Sequence, residues 1–93
     1  MTFRYFCDPD TGLPHIYGHG VAEREVEYVL RHPGERRKGS RNSLRVIGQT
    51  QSGRYLRVVY TPDAIGNGVF VVTAYEIGGK TLAAYRRRRR KRR

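Results

Sequence analysis

The sequence predicts an α+β domain in which a mostly antiparallel sheet packs in two layers with one central and one C-terminal helix. Residues 22–31 carry apolar side chains at helical period, and residues 44–77 contain three runs rich in β-branched and aromatic residues. A chain of 93 residues supports one modest core. This length excludes a two-domain enzyme with a cleft between its lobes.

The first segments predict a short strand followed by a turn. Residues 2–7 include three aromatic residues and indicate a strand. Residues 8–12 end it, because Pro9 fixes φ and Gly12 permits a positive φ. Residues 13–20 predict one helical turn and then a bend, since their two glycines limit its length.

The central helix is predicted over residues 22–31. Its apolar stripe consists of Ala22, Val26, Val29 and Leu30. The His-Pro-Gly sequence of residues 32–34 ends the helix. No Ser, Thr, Asp or Asn stands at its start, so we expect His19 or a backbone turn through Gly20 to cap it.

Three strands are predicted over residues 44–50, 54–61 and 69–77, which are rich in β-branched and aromatic residues. Short connections join them, and the second contains the Asn67-Gly68 pair favoured in tight turns. Connections this short make antiparallel neighbours, so the strands form a meander. We interpret the charged residues 35–43 as a mobile loop or a ragged edge strand.

The C-terminal helix is predicted over residues 80–90, with Leu82 and Tyr85 as its apolar contacts. It is expected to fray into a basic tail. The sequence therefore divides into a domain over residues 1–86 and a tail over residues 87–93.

Alternation along the strands separates an apolar face from a mixed face. The apolar face comprises Leu44, Val46, Leu56 and Val58. We expect it to pack against the stripe of the central helix. The mixed face carries Arg45 and Arg57, and Glu76 is expected there, with apolar residues between them. A surface of this kind is usually covered, here by the C-terminal helix or by a partner.

The positive charge is concentrated at one end of the chain. The sequence has 19 Lys and Arg against 8 Asp and Glu, a net charge of +11, yet residues 86–93 are all basic. Removing those eight leaves 11 basic and 8 acidic residues, a net charge of +3. Consecutive cations repel one another, so we expect the tail to bind phosphate, a ribosome or an acidic partner without reading sequence, and not to pack.

The composition predicts a reduced, cytoplasmic protein. Cys7 is the single cysteine and cannot form an intramolecular disulfide. No apolar run has the length of a signal peptide or a membrane span. The three histidines and the cysteine show no metal-ligand spacing, so neither a metal nor another cofactor is expected.

Several segments, in this order, resemble the BrnT-type toxins, which are similar to the RelE and ParE toxins of bacterial toxin–antitoxin modules. They are Gly18-His19-Gly20-Val21, the helix after it, Arg45-Val46-Ile47-Gly48, Gly53 to Tyr60, Val71 to Tyr75, and the basic Tyr85-Arg86 helix. The resemblance implies a RelE-like fold, ribonuclease toxicity and neutralisation by a cognate acidic antitoxin bound to the sheet or helix surface. Gly18 and Tyr75 depart from the Lys and Arg of the family.

Cleavage of RNA by its own 2′-hydroxyl needs a proton acceptor, a proton donor and cations that stabilise the phosphorane. The catalytic candidates are His19, Arg57, Glu76 and Tyr85. Histidine suits acid–base work because imidazole ordinarily titrates near neutral pH. The RNA-binding candidates are Arg45, Lys80, Arg86, Arg87, Arg88, Arg89 and Arg90.

Structural roles compete with each catalytic assignment. His19 is equally suited to capping the helix, Glu76 to a cross-strand ion pair with Arg57, and the tyrosines to sheet packing. We interpret His15 and His32 as plain surface residues. The leading hypothesis is a ribonuclease toxin acting without metal, and the alternative is a non-enzymatic RNA- or ribosome-binding domain on the same scaffold.

Overall fold

A five-stranded sheet organises residues 1–91, the part of the chain that the computed structural model describes. The strand order is β1-β5-β4-β3-β2. The elements are β1 (Phe3–Tyr5), a 3₁₀ helix (His15–His19), α1 (Glu23–Arg31), β2 (Glu35–Lys38), β3 (Leu44–Gln49), β4 (Tyr55–Pro62), β5 (Val69–Glu76) and α2 (Gly79–Lys91). The α+β class with a mostly antiparallel sheet is therefore confirmed.

Strands β2 to β5 are antiparallel neighbours, whereas β1 runs parallel to β5. The predicted meander of β3, β4 and β5 is confirmed. In addition, β2 pairs with β3 and forms one edge of the sheet. Arg41 and Asn42 adopt positive φ in the turn between β2 and β3, a conformation that Asn tolerates well. Three consecutive basic residues, Arg36, Arg37 and Lys38, occupy this edge, where charge discourages pairing with another chain.

The main core lies between α1 and one face of the sheet, as the alternation predicts. Val26 and Val29 of α1 are fully buried together with Val46 and Val58. Gly48 permits this close approach, because a Cβ there would lie 2.9 Å from Val29 Cγ1. The start of α1 is capped differently from the prediction: the Glu25 carboxylate accepts a 3.0 Å hydrogen bond from the Ala22 N–H, instead of a cap from His19 or Gly20.

The second helix packs on the opposite face of the sheet. Tyr85 of α2 is buried with Ile47 and Ile77, and Leu82 packs against them. Ile47 and Val46 are neighbours on β3, so their side chains point to opposite faces. The two-layer prediction is thus wrong in detail, since α2 forms a partial third layer over the mixed face.

A β-bulge in β5 decides which side chains reach that face. The register between β4 and β5 shifts at Val59 and Tyr60, and Val72 is left without a cross-strand partner. Beyond the bulge, Tyr75 pairs with Arg57, while Glu76 pairs with Leu56. Glu76 therefore lies on the α1 side of the sheet, and its predicted place on the mixed face beside Arg57 is wrong.

Candidate functional site

A cationic pocket lies on the mixed face of the sheet beside α2. Its volume is about 170 Å³. Arg37 and Arg45 are directly opposite each other on β2 and β3, and Arg57 is opposite Ile47 on the next strand pair. The pocket, called here the arginine pocket, is lined by Glu35, Arg37, Arg45, Ile47, Arg57 and Arg88. Like charges placed directly opposite each other destabilise a sheet, so a bound anion would stabilise this arrangement.

The charges lining the arginine pocket do not cancel. Among the described residues, Glu35 is the single carboxylate of the lining, against four guanidinium groups. Arg88 donates two hydrogen bonds to it, of 2.6 and 2.8 Å, and Arg37 Nε lies 3.6 Å away. Within residues 1–91, Arg45 has no carboxylate partner and Arg57 bonds only to a tyrosine hydroxyl. Planar guanidinium groups with this freedom match the geometry of a phosphate.

A chain of polar contacts leads away from Asp8 through two histidines. Asp8 Oδ1 lies 2.8 Å from His15 Nδ1, and His15 Nε2 lies 3.3 Å from His19 Nε2. A tight loop holds Asp8 beside His15, since the N–H groups of Asp8 and His15 bond to the carbonyls of Leu13 and Phe6. His15 is therefore not the plain surface residue of the prediction. The i, i+4 spacing of the two histidines was the signal for this pair.

Tyr75 connects the histidines to the arginine pocket. Its ring meets the His19 ring edge to face, with 6.0 Å between centroids. Its hydroxyl accepts a 3.3 Å hydrogen bond from Arg57 Nη1. The bulge at Val72 is what turns Tyr75 towards this face. The structure thus brings together two of the predicted catalytic residues, His19 and Arg57, through a residue that the sequence analysis placed in sheet packing.

Glu76 binds Arg54 on the α1 side of the sheet, away from the arginine pocket. Arg54 donates to Glu76 Oε1 at 3.3 Å and also bonds to both oxygens of Glu25 at 2.9 Å. The same guanidinium reaches the Gly20 carbonyl at 3.2 Å. Arg54 therefore ties the end of the 3₁₀ helix, the start of α1 and the end of β5 together. The structure shows no link between Glu76 and the arginine pocket among residues 1–91.

Tyr85 serves as a packing anchor for α2. It is only 5 % exposed, and burial raises the pKa of its hydroxyl. Its ring meets that of Tyr55 edge to face at 6.0 Å and covers Gly34, where no Cβ would fit beneath the Tyr85 hydroxyl. Among the described residues, no hydrogen bond or ring contact joins Tyr85 to His19 or Arg57.

Two arginines of the predicted tail dock α2 onto the sheet. Tyr85, Arg88 and Arg89 stand at i, i+3 and i+4, on one face of the helix. Arg89 Nη1 donates a 2.6 Å hydrogen bond to the Gly34 carbonyl, and Arg88 binds Glu35. The prediction that the tail cations do not pack is therefore wrong for Arg88 and Arg89.

The remaining predicted RNA-binding cations are spread along α2. Arg86 lies over the Tyr55 ring at 5.1 Å, and Arg87, Arg90 and Lys80 are exposed. The helix continues to Lys91, past the predicted domain boundary at residue 86. Residues 92 and 93 of the predicted tail lie outside the described residues.

Comparisons with known protein families, with curated proteins and with solved structures gave no match for this chain. Within residues 1–91, no helix has the length and apolar character needed to cross a membrane. The same residues contain no cluster of His, Cys, Asp or Glu suited to a metal ion. The support for the candidate site is therefore the geometry of the described residues.

Proposed function

We propose that this protein is a metal-independent endoribonuclease with a RelE-like fold, acting in the cytoplasm as the toxin of a type II toxin–antitoxin module. The observation that carries the proposal is the continuous path from His19 through Tyr75 to Arg57. This path links an imidazole, through the single residue Tyr75, to an arginine that lines the pocket. Acid–base catalysis of RNA cleavage needs these two kinds of group next to each other.

In the proposed reaction the arginine pocket binds the scissile phosphate. Arg45 and Arg57 stabilise the negative charge that develops on its oxygens. His19 takes the proton from the 2′-hydroxyl as the O2′–P bond forms, and the P–O5′ bond breaks. The proton returns, directly or through water, to the leaving 5′ oxygen, which yields a 2′,3′-cyclic phosphate and a 5′-hydroxyl. His15, hydrogen-bonded to Asp8, orients His19.

A cognate acidic antitoxin is the proposed protein partner. The net charge of +11 favours an acidic binding surface. Such a partner would inhibit cleavage by covering the arginine pocket. Co-expression with an acidic protein encoded beside this one should then restore growth.

The second candidate function is a non-enzymatic RNA- or ribosome-binding domain on the same scaffold. This function is favoured because two of the four predicted catalytic residues have structural roles. Glu76 is held by Arg54, and Tyr85 is buried against the sheet. Binding would need the arginine pocket and the exposed cations of α2, but not His19.

Incubation of the purified protein with total RNA in excess chelator separates the two functions. We expect cleavage by the wild type and a loss of about 10²- to 10⁴-fold in the His19→Ala variant. Arg57→Ala should lose activity as well, whereas Arg36→Ala is the matched control, since Arg36 is exposed on the other side of the sheet edge. Intact RNA at high protein excess, with no growth arrest on induction, would leave only the binding function.

A further inference from the structure

A second cationic surface lies beyond α2, next to the end of α1. It is a groove of about 380 Å³ between the last turn of α1 and the last turns of α2. This aromatic groove is lined by Tyr28, His32, Tyr55, Arg86, Arg89 and Arg90, among others. Gly34 lines it as well, and the adjacent Glu35 lines the arginine pocket. The two sites are therefore neighbours that share α2 as a common wall.

Flat ring surfaces stand on both sides of the aromatic groove. At the C-terminal end of α1, the rings of Tyr28 and His32 are stacked, with 4.3 Å between centroids and 28° between planes. On the sheet side, the guanidinium of Arg86 covers the Tyr55 ring at 5.1 Å. Aromatic rings and guanidinium planes are the surfaces on which proteins stack unpaired nucleobases.

The charge of the aromatic groove fits an anionic ligand. Within the described residues its lining holds three arginines and no carboxylate. Arg89 is fixed by its hydrogen bond to the Gly34 carbonyl, while Arg86 and Arg90 are exposed. Cations beside stacking surfaces provide for both parts of a nucleotide, the base and its phosphate.

We infer that the aromatic groove binds an unpaired nucleotide of single-stranded RNA, next to the phosphate in the arginine pocket. This inference rests on the proposed function and specifies its substrate class. Single-stranded RNA is the occupant because the faces of paired bases are covered by their stacked neighbours in a duplex. The protein would then prefer single-stranded RNA long enough to occupy both sites.

The test is fluorescence anisotropy with a 2′-O-methyl RNA octamer, single-stranded or annealed to its complement. This RNA lacks the 2′-hydroxyl nucleophile, so binding is measured whether or not the protein cleaves RNA. Stacking contributes about 1–3 kcal/mol per base, so Tyr28→Leu should raise Kd for the single strand by roughly 5- to 150-fold. Tyr28→Phe retains the ring and should bind like the wild type.

Tyr17→Leu is the matched control, because Tyr17 is an exposed tyrosine of the 3₁₀ helix outside the groove. Thermal melting of each variant shows whether it is folded. Unchanged single-strand affinity in folded Tyr28→Leu would overturn the inference, as would equal wild-type affinity for the duplex. Polyglutamate serves as a probe for an acidic protein partner. If Tyr28→Leu weakens the binding of polyglutamate but not of RNA, the groove belongs to a protein partner and the inference is overturned. Failure of the proposed function is seen separately, as intact total RNA with wild-type protein.

Discussion

Replacing Arg88 with alanine tests whether the last turns of α2 belong to the folded domain. The change removes two hydrogen bonds, of 2.6 and 2.8 Å, from a carboxylate whose side chain is only 6 % exposed. Glu35 and Arg88 are 53 residues apart, so the pair joins the C-terminal helix to the edge strand. Loss of the pair should weaken the attachment of α2 to the sheet.

The size of the effect follows from the burial of the pair. Breaking a fully buried ion pair costs about 3–5 kcal/mol, and an exposed pair contributes about 0–1 kcal/mol. Arg88 is 34 % exposed and Arg37 stays 3.6 Å from Glu35, so this pair falls between those limits. We expect the free energy of unfolding to fall by about 2 kcal/mol, which corresponds to roughly 8–16 °C in Tm for a domain of this size.

Urea denaturation and thermal melting measure this loss. Arg87→Ala is the matched control, because Arg87 is exposed on the same turn and its replacement should change stability by less than about 0.5 kcal/mol. Adding Glu35→Gln to Arg88→Ala should recover part of the stability, since the amide is neutral. Equal stability of Arg88→Ala and Arg87→Ala would contradict this prediction, because it would show that the pair does not hold α2 on the sheet in solution.

Two further predictions concern the core. Burial and the hydrogen bond to Glu27 raise the pKa of Tyr5 above its ordinary value of 10.0, and burial also raises that of Tyr85. Unfolded tyrosines release protons above about pH 10 while the folded ones retain theirs, so stability should fall as pH rises beyond that point. Between pH 9 and 11, the urea midpoint of Tyr5→Phe should fall less steeply than that of the wild type. Equal slopes for the two proteins would contradict this prediction. Gly48→Ala should lower the free energy of unfolding by about 1–3 kcal/mol in urea denaturation, because the new Cβ clashes with Val29. An unchanged free energy of unfolding would show that α1 moves away from the sheet at little cost.

Local sequence was enough to predict the central helix and its core. The apolar stripe of α1 and the alternation in β3 and β4 depend on neighbouring residues, so Val26, Val29, Val46 and Val58 could be assigned to one core before the fold was known. Edge strand β2 was left open because its residues are charged. Backbone pairing with β3, a tertiary contact, is what makes it a strand.

The candidate site depended on contacts that no local pattern records. His19 and Arg57 could be proposed from residue type alone, but the single-residue bulge at Val72 reversed the faces of Tyr75 and Glu76. Alternation predicts a face only while the register is unbroken. The loop after β1 brings Asp8 next to His15. The periodicity of strands and helices does not predict a contact made by a loop.

The α+β class, the main core and the concentration of positive charge at one end follow from composition and periodicity, which are properties of adjacent residues. Which of those charges have a structural role depends on contacts between residues that are distant in the chain. Arg88 and Arg89 belong to the fold because Glu35 and Gly34, far away in the chain, meet one face of α2. Arg86 contacts the Tyr55 ring, whereas Arg87 and Arg90 of the same helix are exposed to solvent.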